Sequence, residues 1–147
     1  MLLHQNNKFI YDNHVAVELP NNVYLDPCPD ICPIEGIVLH SEDLLAKAEF
    51  HFLATEKGAR AFLEETPDLY ETFHWLKPIF DVKANGLCGF GASYETTRFI
   101  YDDYAFTIPG KEKTLLIITI EQKKSTPANS DLYAKFREEL VSKFSCL

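Results

Sequence analysis

The stretch Thr114-Leu115-Leu116-Ile117-Ile118-Thr119-Ile120-Glu121-Gln122 decides the fold. β-Branched residues dominate it, which favours an extended strand. Successive side chains of a strand point to opposite faces, so Leu115 and Ile117 face one way while Leu116, Ile118 and Ile120 face the other. Both faces are apolar, and a strand of that kind must be covered on both sides. It belongs inside a sheet, and the rest of the chain has to supply its neighbours and its cover.

Working outward, Pro109-Gly110 marks a turn, and residues 104–108, 88–100 and 79–84 read as further strands with Asp102-Asp103 as another turn. Residues 36–40 and 47–53 are two more, the second setting Ala48, Phe50 and Phe52 against Lys47, Glu49 and His51. Residues 8–12 and 14–19 flank Asp12-Asn13 as a hairpin. The stretch Asp26-Pro27-Cys28-Pro29-Asp30-Ile31-Cys32-Pro33 lacks the N–H donors of a central strand and reads as a loop.

Helical signals fall between and after these runs. Thr55 is suited to cap one short helix, with Glu56 in its first turn. Thr66-Pro67-Asp68 restarts a second that carries Leu69, Tyr70 and Phe73 and ends at His74-Trp75. Ser130 or Asp131 caps a last helix in which Leu132, Phe136, Leu140 and Phe144 recur at helical spacing. The expected architecture is therefore α+β: a mostly antiparallel sheet with helices packed on its faces, an αβα sandwich. A one-sided sheet that forms a homodimer through its free face stays open as the alternative.

With 147 residues the chain suits a single domain spanning 1–147, large enough to bury roughly 70% of its unfolded surface. A net charge of −8 opposes binding to phosphate backbones, so nucleic acid is not expected as a partner. No apolar run approaches the length of a membrane helix, and Met1-Leu2-Leu3-His4 lacks the basic start of an export signal. Cys146 lies too near the end for prenylation. These features predict a cytoplasmic protein with reduced thiols and no membrane insertion.

Several constellations could carry chemistry. Cys28 and Cys32 have the spacing of half a zinc site, but no second pair completes tetrahedral coordination, and no metal or cofactor is expected. Asn85-Gly86-Leu87-Cys88-Gly89-Phe90-Gly91 lacks both the lysine of a phosphate loop and the dinucleotide spacing. Cys88 follows Gly86 at nucleophile-elbow spacing, yet Phe90 stands where the elbow needs its second glycine. Those glycines are expected to mark a turn or a close approach, and Cys88 to be a buried structural thiol. His51, beside Glu49 and Lys47, reads as a surface histidine, and Trp75 as core or rim. Glu42-Asp43, Glu64-Glu65, Asp102-Asp103 and Glu138-Glu139 read as solvated acidic surface, since adjacent side chains diverge. Phe99-Ile100-Tyr101-Asp102 echoes Phe9-Ile10-Tyr11-Asp12, which two similar hairpins explain as well as a duplication would.

Tyr11-Asp12 leading into Val15-Ala16-Val17-Glu18-Leu19-Pro20-Asn21, the late apolar strand, and the closing Val141-Ser142-Lys143-Phe144-Ser145 together resemble the PsbP-like superfamily, which includes the DcrB-like domains and the Ran-binding nuclear import factors. The resemblance implies antiparallel sheets between helical layers and a role in binding, assembly or chaperoning, with no catalytic residue to transfer. A non-catalytic module that binds another protein is the function expected, and the aromatic content suits it. The alternatives are a small thiol-dependent enzyme using Cys88 and a metal-binding protein using Cys28 and Cys32.

Overall fold

β10 (Lys111–Lys123) is the middle strand of seven. This is a computed structural model that describes residues 2–5, 8–21, 23–26, 36–41, 46–124 and 130–147. In chain order the strands before it are β1 (Leu2–Gln5), β2 (Lys8–Tyr11), β3 (Val15–Glu18), β4 (Val23–Leu25), β5 (Gly36–Ser41), β6 (Ala46–Ala54), β7 (His74–Ala84), β8 (Leu87–Glu95) and β9 (Phe99–Ile108). Helix α1 (Ala59–Glu64) and a 3₁₀ turn (Thr66–Leu69) stand between β6 and β7, while α2 (Ser130–Ser142) and β11 (Phe144–Cys146) follow β10. The large antiparallel sheet runs β4-β5-β6-β10-β9-β8-β7, and a smaller one runs β1-β2-β3-β11.

The two-sided apolar strand is covered as its composition demands. Leu116, Ile118 and Ile120 pack on the first face with Phe50 and Phe52 of β6 and Phe106 of β9. Leu115 and Ile117 lie on the second face with Ala105, under Ala59 and Leu63 of α1. The expected α+β sandwich is nevertheless overturned, because what covers most of the first face is the smaller sheet. Phe9, Tyr11, Val15 and Val17 form its apolar side, and the Tyr11 ring stacks on Phe52 at 4.1 Å. The helices are short, six residues in α1 and thirteen in α2. The protein is thus mostly β, two antiparallel sheets face to face, with α2 adding Tyr133 and Leu140 to the shared core.

Both ends of the chain explain that correction. A hairpin of β2 and β3 alone would leave its outer strands unpaired, and β1 and β11 fill those positions. Phe144, which continues the helical spacing in sequence, instead pairs with Val17 as the first residue of β11 and packs its ring 5.0 Å from Phe106. The helix has ended by then: the Lys143 amide donates to Leu140 and the Ser142 hydroxyl to Glu139.

Local turns follow residue chemistry. Asp12 and Asn13 both take positive φ between β2 and β3, as do Asn85 and Gly86 between β7 and β8. A Cβ on Gly89 would lie 2.0 Å from the Ala105 carbonyl oxygen, so that glycine permits β8 to approach β9. Asp102-Asp103 is not a turn; both residues lie within β9, and the reversal before it occurs where the Thr96 amide donates to Phe99. The segment after α1 makes only a 3₁₀ turn, because Tyr70 is already extended, and His74 and Trp75 belong to β7. Thr55 accepts from the Lys57 amide and α1 starts later, after Gly58. Among the described residues no helix is long and apolar enough to cross a membrane.

Candidate functional site

Helix α1 covers only part of the second face of the large sheet. Its six residues make fewer than two turns, so its apolar side reaches Leu115, Ile117 and Ala105 and then stops. One step further along the same face the floor turns polar: Thr119 and Glu121 on β10, Asp103 and Tyr101 on β9, Glu49 and Lys47 on β6. Strand alternation puts each of the six on this face, and the register of the three strands places them side by side. With Tyr94 of β8 and a wall from Phe62 to Tyr70 they enclose an open cavity of about 530 Å³.

Aromatic rings line one end. Tyr94 and Tyr101, cross-strand partners, stack at 5.0 Å, and Tyr70 approaches each at 5.8 Å. Phe73 stacks on Tyr94 at 4.9 Å and meets Trp75 edge-on at 4.7 Å. Such rings prefer offset or edge contacts, and a network of them holds a rigid apolar wall. At the mouth, Leu69 is 75% exposed.

Asp103 is the unusual group. It is 6% exposed, and one carboxylate oxygen, Oδ2, accepts from the Tyr94 hydroxyl at 2.9 Å. The other, Oδ1, is buried with no hydrogen-bond partner. Burial pushes the Asp103 carboxyl up to about 7; the Tyr94 and Thr119 hydroxyls counteract this, and the nearby charges of Asp102 and Glu49 add to it. The Tyr94 hydroxyl is also pushed up, by burial first and then by the Asp103 charge. Burial likewise raises Tyr101, with Glu121 adding to it. Burial also acts to raise Glu49, but the bond from His51 at 3.0 Å and the Lys47 charge outweigh it, and its carboxyl sits below the usual range. The cavity thus joins an ionised carboxylate and a carboxyl that changes charge near neutral pH.

On the reverse side of β9, Asp102 is equally withdrawn from water, at 5% exposure. It accepts from Ser93 at 2.5 Å and from Tyr133 of α2 at 2.6 Å, and Arg137 of α2 lies 3.6 Å away. This group fastens α2 to the sheet.

The structure separates the residues singled out from sequence. Cys28 and Cys32 lie outside the described residues. Cys88 is on the same face of β8 as Tyr94 but at the strand's other end, and it is exposed, which corrects the expectation of a buried thiol. Cys146 is a second free thiol, on β11, and neither lines the cavity. Among the described residues no group of three His, Cys, Asp or Glu could hold a metal ion. The glycine segment forms the β7–β8 hairpin and the close approach of β8 to β9. His51 does lie beside Glu49 on the polar face of β6. Asp103 went unrecognised because an acidic pair suggests a turn. The signal against a turn is the alternation of Tyr101, Asp103 and Ala105 with Asp102, Tyr104 and Phe106, which runs through the pair unbroken.

No family model and no curated protein sequence matches the chain. Among solved structures it is similar to PA94 from Pseudomonas aeruginosa, a protein of unknown function described as a candidate regulator. The TM-score is 0.53 at 13% identity, over 95% of this chain and 93% of that one. At such identity the likeness concerns the fold alone.

Proposed function

We propose that the chain is a cytoplasmic, non-catalytic binding module that seats part of another protein in the cavity over the second face of the large sheet. The observation that supports this reading is the aromatic wall of Tyr70, Tyr94 and Tyr101, with Phe73 and Trp75 packed against Tyr94 outside the cavity, beside an exposed Leu69. Aromatic side chains in a desolvated pocket dominate binding energy at protein interfaces, and the cavity volume falls within the range of binding clefts. The free thiols Cys88 and Cys146 suit a reducing compartment.

The test is photo-crosslinking in the native cell with a benzophenone amino acid at position 69, compared with the exposed position 135 on α2. Discrete protein adducts from position 69 and none from 135 are expected. No adduct at 69, or the same adducts from both positions, would remove the reading.

A further inference from the structure

We infer that the cavity receives the side chain of a lysine or arginine of the partner, its cationic head meeting the free oxygen of Asp103 and its stem lying against the tyrosine rings. This deepens the binding reading and rests on it.

The first argument is the unpartnered acceptor. A buried polar atom without a hydrogen bond costs about 1 to 3 kcal/mol, and native structures leave few of them. Asp103 Oδ1 is such an atom, and its carboxylate lines a cavity large enough for a side chain. The second argument is charge. Lys47 is engaged by Glu49 at 3.6 Å and by Glu121 at 3.9 Å, and Lys57 is engaged by Glu65. Among the described residues no Lys, Arg or His is ion-paired with Asp103, and a cation is what its second oxygen lacks. An anionic ligand would instead meet Asp103, Glu49 and Glu121 together.

The third argument is the wall. Tyr94 and Tyr101 are buried against each other, so it is the half-buried ring of Tyr70, packed on both, that offers an aromatic surface to a cation, while the methylene stem of a lysine or arginine covers apolar surface. A neutral apolar side chain would fill the space and leave the acceptor unmet. A bound cation would also favour ionised Asp103, so binding should release a proton near pH 7 and strengthen as pH rises. The titratable groups that line the cavity with Asp103 are Lys47 and Glu49 from β6, Glu121 from β10, Tyr101 from β9, Tyr94 from β8, and Lys57, Glu65, Asp68 and Tyr70 from the segment between β6 and β7, while Asp102 acts from the opposite face of the sheet. Glu49 is already ionised through this window, and the Asp103→Asn variant separates the response of Asp103 from that of the His51 imidazole bonded to Glu49.

The experiment titrates isotope-labelled protein with N-acetyl-arginine methylamide and N-acetyl-lysine methylamide, the neutral isostere N-acetyl-citrulline methylamide and free methylguanidinium. Amide shifts at Tyr94, Asp103 and Thr119 and the fluorescence of Trp75 report binding. Saturable shifts with either blocked cation are expected, weaker at pH 6 than at pH 8. In Asp103→Asn, checked for a cooperative melting transition no lower than that of the wild type, they should weaken by about thirtyfold or more, the effect of removing one partner of a buried charge pair. Three results would overturn the inference: citrulline binding as well as arginine, Asp103→Asn binding as well as the wild type, or no shift with either cation. Methylguanidinium binding as tightly as the blocked arginine would overturn the side-chain source. Crosslinks from position 69 that persist while the cations fail would leave the binding module standing and remove only this inference. Cation binding with no crosslink would remove the protein partner.

Discussion

Asp102 and Asp103 are neighbours on β9, equally withdrawn from water and pointing to opposite faces of one sheet, yet they differ in how completely they are partnered. Asp102 accepts two hydroxyl hydrogen bonds and has a guanidinium nearby, all from within the chain. Asp103 has one bonded oxygen and one with no partner. The first face of the sheet is closed by a second sheet and α2; the second is closed only as far as α1 reaches. A buried carboxylate with every partner supplied internally holds the fold together, whereas one left incomplete beside a cavity is available to something else. Burial alone would have classed the two together.

The largest effect expected from this contrast lies in the apolar residues of the two faces. Ile118→Ala, on the closed face, should cost about 4 kcal/mol, while Ile117→Ala, beside the cavity, should cost nearer about 2 kcal/mol, since its surroundings can relax into open space. Urea unfolding at constant slope measures both. An equal or larger cost at Ile117 would mean that the second face is as closed as the first.

Asp102→Ala should cost about 3 kcal/mol, because it strands the Ser93 and Tyr133 hydroxyls and loosens Arg137. Hydrogen exchange should rise along α2 before it rises in β10. A loss below about 1 kcal/mol, or protection unchanged in α2, would deny Asp102 its fastening role.

Asp103→Asn should act in the opposite direction. The folded carboxyl is raised from 3.8 to about 7, so between those values the folded state holds a proton that the unfolded state has released. Stability therefore falls as pH rises from about 4 to about 7 and is level above that range. The asparagine variant removes this slope and should be roughly 1 to 3 kcal/mol more stable than wild type at pH 8. A destabilised variant, or one that keeps the slope, would show Asp103 to be internally satisfied like Asp102.

The smallest effect belongs to Cys88, on the second face but away from the cavity. Cys88→Ser should change stability by no more than about 0.5 kcal/mol and leave the arginine titration unmoved. Iodoacetamide on folded protein should label Cys88 ahead of the half-buried Cys146. Protection of Cys88 from alkylation would mean that its end of the sheet is covered as well.

What the sequence determined by itself was local. Thr114 to Gln122 could only be an interior strand, because both of its faces are apolar; Asp12-Asn13 read as a turn and the glycines after Asn85 as a turn or a close approach, and Asp12, Asn13, Asn85 and Gly86 do take positive φ. Period-two alternation also set Lys47, Glu49 and His51 on one side of their strand. The tertiary structure decided what covers what. Phe144 became part of a strand by pairing with Val17 across long sequence separation, and such pairing leaves no local periodicity to read, whereas residues 2–5 pair with the adjacent residues 8–11 in a strand too short to carry a clear pattern. The same holds for the cavity: Asp103, Glu49, Thr119 and Tyr94 come from four strands, and only the register between those strands sets them together beside the place where α1 ends. A carboxylate's burial and its missing partner are properties of that assembly, since water and distant neighbours are absent from the residue code.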